Sequence, residues 1–155
     1  MNLLIDKNEN LKICDFGLSK STSGESINTL FGTLNWCAPE ILSILLIFNF
    51  FFNYFCFCFY FYFLVGKAFS KKADVYSMGL VLWEILAHEK PYSNLKVLQI
   101  SEHVLSGKIP PFPTDKNCAE GYKNVIEKCL KLDPKDRPTF EWIERALKNI
   151  NPNDF

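Results

Sequence analysis

The alternation of apolar and polar positions divides the chain into short readable blocks. Leu3-Leu4-Ile5 and Leu11-Lys12-Ile13-Cys14 are brief apolar runs on either side of DKNEN, a stretch of turn formers, and together they predict a β-hairpin. Residues 18–35 are rich in Ser, Thr, Gly and Asn without periodicity and predict a long loop. Loops of that length inside compact domains are usually functional or disordered. The run ADVYSMGLVLWEILA (residues 73–87) is apolar on nearly every face, which predicts a helix buried in a core rather than one lying on a surface. Gly79 in its middle costs such a helix about 1 kcal/mol against alanine, so close packing at that point is expected. Further helices are predicted over 95–105, 119–131 and 139–150, the second from the spacing of Val125, Ile126, Cys129 and Leu130. A proline-rich turn, IPPFP, follows the first of these. Pro138 is expected to open the last helix, where a missing N–H is tolerated.

One block breaks the pattern. Residues 43–66 read SILLIFNFFFNYFCFCFYFYFLVG, carry no charge, and hold nine of the fifteen phenylalanines, so the aromatic content elsewhere is ordinary. This run exceeds the roughly 20 residues that cross the hydrocarbon of a bilayer, and in isolation it reads as a membrane span.

Composition narrows the function classes. At 155 residues the chain can form one domain with a real core or one lobe of a larger domain. Seventeen Lys and Arg balance seventeen Asp and Glu, so no global field favours nucleic acid or anionic lipid, and no nucleic-acid partner is expected. The six cysteines form no CxxC pair and no disulfide-dense pattern, which favours a reduced, cytoplasmic setting. Cys56 and Cys58 lie in the apolar run without partners for a zinc site. No signal peptide is visible, since the first residues already read as strand.

Candidate chemistry enters with Asp15-Phe16-Gly17, which follows a strand and precedes the long loop. Alone, so short a signature is more often an ordinary strand-end turn. It does not stand alone: Asn2-Leu3-Leu4 precedes it, Ala38-Pro39-Glu40 follows about twenty residues later, and DVYSMGLVLWE (74–84) and DPKDRPTF (133–140) come after. Five ordered motifs at compatible spacing make the chain resemble the C-terminal lobe of a eukaryotic protein kinase. The wording GTLNWCAPE and KADVYSMGLVLWEI is most similar to the tyrosine-kinase-like group of serine/threonine kinases. The resemblance covers all of the chain except the apolar run. It implies a mainly α fold, a helical lobe with a small β-hairpin, and no N-terminal lobe within these residues. It divides the chain into 1–43 (end of the catalytic loop, DFG, activation loop and APE segment), a hydrophobic insert at 44–65, the helical remainder at 66–150, and a tail at 151–155.

The resemblance also implies roles. Phosphoryl transfer requires the phosphate charge to be neutralised by Mg²⁺ on hard oxygen ligands. Asp15 matches the DFG aspartate and Asn2 the catalytic-loop asparagine, the two metal ligands; a turn aspartate and a capping asparagine are the plainer readings. Leu4 matches the apolar floor under the adenine of ATP, and Cys14 would line the same pocket, although a strand cysteine is by default a small buried hydrophobe. Phe16 would pack against the N-terminal lobe, and Gly17 completes the motif. Ser19, Ser21, Thr22, Ser23, Ser26 and Thr29 are candidate phosphorylation sites, though most such hydroxyls are merely solvated; phosphate there could order the loop against arginines. Thr33 resembles the threonine beside the substrate hydroxyl in serine/threonine kinases. Glu40 and Arg137 match a pair that forms a buried ion pair in the family. Asp74 matches the aspartate that anchors the catalytic-loop backbone, and equally suits a helix N-terminus. His88 and His103 match no catalytic position and are expected at the surface.

These 155 residues contain no G-x-G-x-x-G loop, no strand lysine of the V-A-I-K type and no H-R-D aspartate. The chain as written is therefore expected to bind ATP poorly and to transfer no phosphate. A membrane span at 44–65 would place Glu40 and Arg137 on opposite sides of a bilayer. Removing 44–65 leaves APEILSGKAFSKKADVYS, close to the uninterrupted family wording, and the segment's residue types are those of T-rich and A-rich triplets. The segment is read as a translated non-coding tract, with a genuine insertion or membrane anchor as the alternatives. Three functional classes stay open: a serine/threonine kinase acting on protein substrates, a pseudokinase-like module that docks partners, and a membrane-attached protein.

Overall fold

The structure, a computed structural model, describes residues 3–14, 34–51, 70–114 and 118–151. It divides into two units, residues 1–31 and 32–155.

The first unit holds the hairpin. β1 (Leu3–Ile5) pairs antiparallel with β2 (Leu11–Ile13), in the register Leu3 to Ile13, Leu4 to Lys12 and Ile5 to Leu11. The turn is built by Asp6. Its Oδ1 accepts from the backbone N–H groups of Asn8 and Asn10, both at 2.9 Å, while its own N–H donates to the Asn10 carbonyl at 2.9 Å. These bonds, led by that from Asn10, hold the Asp6 carboxyl below its ordinary range. Glu9 carries the positive φ, 64°, that lets the chain reverse.

The second unit contains five α-helices among the described residues: α1 (Pro39–Phe51), α2 (Lys71–Ala87), α3 (Val97–Leu105), α4 (Glu120–Cys129) and α5 (Phe140–Lys148). One-turn 3-10 helices at Leu34–Trp36 and Pro134–Asp136 lead into α1 and α5. The helix α2 is the centre. Eight of its seventeen residues are buried, spread round its circumference from Ala73 to Leu86, so the even distribution of apolar residues becomes contact on most sides. It packs most closely on α4, while α4 also packs on α5 and α1 packs on α3. Ser70 caps its start by accepting from the Lys72 N–H, and His88, exposed with φ of 59°, closes its end by donating its backbone N–H to the Glu84 carbonyl.

Gly79 sits where α2 meets α4. A Cβ built there would lie 2.6 Å from the Cys129 Cβ and 3.0 Å from Leu130 Cδ2, so the missing side chain is what lets the two helices approach.

The expected bounds of the last helix are corrected. Thr139, not Pro138, begins the last helix: its hydroxyl accepts from the Trp142 N–H at 3.3 Å, and Pro138 lies one residue before that cap. The helix also ends at Lys148 rather than at residue 150. Helix α1 runs past residue 44, where the expected insert begins, and Ile44 is buried with 5% of its surface exposed. At least the start of the apolar run belongs to the folded unit. Among the described residues, no helix is long and apolar enough to cross a membrane.

Candidate functional site

Asn2, Asp15, Phe16, Gly17, Thr33 and the loop hydroxyls Ser21, Thr22, Ser23, Ser26 and Thr29 lie outside the described residues. Leu4 and Cys14 are described. The register puts Leu4 opposite Lys12, and Cys14 comes two residues after Lys12, one past the end of β2, so backbone alternation assigns Leu4, Lys12 and Cys14 to one face. Leu4 is 55% exposed and Cys14 half-buried. β1 begins and β2 ends at the same end of the hairpin. Among the described residues, no group of three or more His, Cys, Asp and Glu could hold a metal ion.

In the second unit the chain converges on Arg137. Asp133 accepts from the Lys135 N–H at 2.9 Å, Pro134 follows with its φ already fixed, and the resulting 3-10 turn carries Arg137 inward. Its guanidinium is fully buried and all five N–H donors are used. Nη1 donates to Glu40 Oε1 at 2.7 Å and to the Lys72 carbonyl at 2.8 Å. Nη2 donates to Glu40 Oε2 at 2.8 Å and to the Leu132 carbonyl at 3.0 Å, and Nε to the Lys131 carbonyl at 2.8 Å. The Tyr76 ring lies 4.9 Å from the guanidinium carbon and covers its face. A buried guanidinium is tolerable only when it is paired and its remaining protons find acceptors, and both conditions hold here.

Glu40 reaches this position through the start of α1. Ala38 accepts the first helical bonds from Ile41 and Leu42, Pro39 occupies the first helical position, and Glu40 follows in the turn where the helix dipole favours a carboxylate. The segment before it is held by bonds that the sequence did not announce. Asn35 Nδ2 donates to the Pro91 carbonyl at 2.7 Å, Trp36 Nε1 to Glu84 Oε2 at 2.9 Å, and Ser77 Oγ to the Trp36 carbonyl at 2.8 Å. The available signal was the presence of Ser77 and Glu84 on a helix otherwise apolar all round, since polar groups there need partners. Cys37, next to this network, has its thiol pushed up to about 12 by burial and, less strongly, by the Glu40 charge.

Asp74 stands in the first turn of α2 with its surface exposed, and neighbouring protein mass still raises its carboxyl above the ordinary value. His88 is exposed and His103 intermediate in exposure, its Nδ1 3.0 Å from the Gln99 carbonyl.

Comparison with known proteins places the chain in a family. The protein kinase domain family matches residues 1–149. A probable serine/threonine-protein kinase of Dictyostelium discoideum is 36% identical over 151 residues, covering 96% of this chain and 12% of that protein. The dual specificity protein kinase shkC of the same organism is 34% identical, covering 96% of this chain and 26% of its own length. The chain belongs to the protein kinase family. It spans only an eighth to a quarter of the length of these two relatives.

Proposed function

We propose that the chain is the C-terminal lobe of a serine/threonine kinase of the tyrosine-kinase-like group, which transfers the γ-phosphoryl group of Mg-ATP to protein hydroxyls. The observation that carries this reading is the buried, bidentate Glu40–Arg137 pair, because it ties the segment behind the DFG-to-APE loop to the helical core. In this reading Asn2 and Asp15 hold Mg²⁺, which offsets the phosphate charge, and Leu4 and Cys14 give the adenine ring an apolar seat. Thr33 lies beside the accepting hydroxyl, and the loop hydroxyls between Ser21 and Thr29 set the loop's order when phosphorylated. Asp74 anchors the catalytic-loop backbone. The relatives include both serine/threonine and dual specificity kinases, and Thr33 favours the former for this chain.

The residues 44–65 belong to the same reading as a tract absent from the working kinase, even though Ile44 packs in the chain as written. Transcript sequencing through this region and upstream of Met1 is the test. The expected result is an in-frame H-R-D and strand lysine upstream, and a junction that removes the phenylalanine run. A transcript that encodes neither upstream motif overturns the kinase reading, and one that retains the run overturns the reading of 44–65. With the verified protein, Asp15→Asn is expected to abolish Mg-ATP-dependent phosphorylation of a serine or threonine substrate, and undiminished transfer would count against it.

A further inference from the structure

The lysine at the second position of α2 is misplaced by the ordinary rule. Ser70 is the cap, so Lys71 and Lys72 occupy the first two helical positions, where the positive end of the helix dipole opposes a cation. A residue that breaks a local rule calls for a compensating contact. Lys71 is exposed, so water screens its charge. Lys72 points elsewhere. Its Nζ donates to the Arg137 carbonyl and, at 3.1 Å, to the Pro138 carbonyl. Both carbonyls lie just before Thr139, whose own carbonyl accepts the first bond of α5 from Ile143, so neither has an intrahelical partner.

The contact runs both ways. Arg137 Nη1 donates to the Lys72 carbonyl at 2.8 Å while Lys72 Nζ donates to the Arg137 carbonyl, so each side chain binds the other's backbone across 65 residues of sequence. This closed couple fixes the start of α2 against the turn that carries Arg137. It also sets the backbone from which the guanidinium reaches Glu40.

We propose that Lys72 is a positioning residue for the Glu40–Arg137 pair: it holds the Arg137 backbone in the register that the bidentate contact requires. The effect on Glu40, at the start of α1, is carried through Arg137, since Lys72 itself donates to two carbonyls of the 137–138 turn. This goes beyond the kinase reading and does not depend on it, because it concerns the geometry of the pair in this chain.

The test is a double-mutant cycle on the 155-residue chain, with urea unfolding followed by tryptophan fluorescence. Lys72→Met and Glu40→Gln are made singly and together. If Lys72 acts through Arg137, the change in unfolding constant for the double variant falls short of the product of the single changes by about threefold or more. Factors that simply multiply overturn the proposal, because a lysine that only stabilises the fold would leave the pair untouched. Should a variant fail to fold, the unaltered chain decides the matter through acylation with an N-hydroxysuccinimide ester, mapped by mass spectrometry. Slower modification at Lys72 than at Lys71 supports the couple, and equal rates overturn it.

Discussion

Arg137 and Glu40, 97 residues apart in sequence, meet through two parallel hydrogen bonds of 2.7 and 2.8 Å, with the guanidinium fully buried and the carboxylate 18% exposed. Such a pair adds little net stability over a well-packed apolar replacement, but breaking it from one side leaves a charge without a partner. Arg137→Met is therefore expected to destabilise the chain by about 3 kcal/mol, the low end of the range for buried pairs, because Glu40 retains some access to water. Glu40→Gln should cost at least as much, since it strands the more deeply buried partner. Urea midpoints of the two variants check the order.

Gly79 carries a prediction of opposite origin. Alanine would gain about 1 kcal/mol of helix propensity on α2. Its Cβ would meet the Cys129 Cβ at 2.6 Å, and overpacking of that kind costs typically about 1–3 kcal/mol. Gly79→Ala is expected to lower stability on balance. Cys129→Ala should not rescue it, because the colliding atom is one that alanine keeps. Thermal unfolding of the two single variants and the double variant tests both statements.

The Trp36 indole rests on one acceptor, Glu84 Oε2 at 2.9 Å. Glu84→Ala leaves that half-buried N–H without its partner and should cost about 1–3 kcal/mol, whereas Glu84→Gln keeps an amide oxygen in place and should cost less. A larger loss in the glutamine variant would mean that the charge, rather than the acceptor, matters at this position.

The hairpin and α2 were legible from pattern alone, for physical reasons that differ. Short apolar runs on either side of the turn formers DKNEN allow few alternatives, and the apolar residues of α2 sit on most sides because it is packed on most sides. Helix α1 was not legible. From Ile44 onward nearly every residue is apolar, so no 3.6-residue phase can be read and nothing in the pattern singles out Ile44 as a buried position. The Asn35, Trp36, Ser77 and Glu84 contacts join residues 41 to 56 positions apart, which no local pattern encodes. Glu40 and Arg137 were readable only as a family match. Their sequence said nothing of Lys72, or of the two carbonyls supplied by Lys131 and Leu132.

Buried thiols set the response to alkali. Cys37 and Cys129 are both pushed up from 9.0 to about 12, in each case chiefly by burial, with the Arg137 charge partly opposing the shift at Cys129. Below pH 9 both groups are protonated in the folded and unfolded chain, and they confer no pH dependence. Above it the unfolded chain loses these protons while the folded chain keeps them, so the unfolded state binds fewer protons and stability falls as pH rises. The loss continues to about pH 12, where the folded thiols also ionise. Each group contributes a slope approaching ~1.4 kcal/mol per pH unit within that window. Tyr76 and Tyr122, raised from 10.0 to about 12, add to the slope only once the free phenols begin to titrate. The first part of the fall, between pH 9 and 10, should therefore belong to the thiols, and Cys37→Ala with Cys129→Ala should flatten it while leaving the steeper loss above. Urea midpoints taken from about pH 8 to about pH 11 measure this directly, and an unchanged slope in the double variant would assign the alkaline loss to other groups.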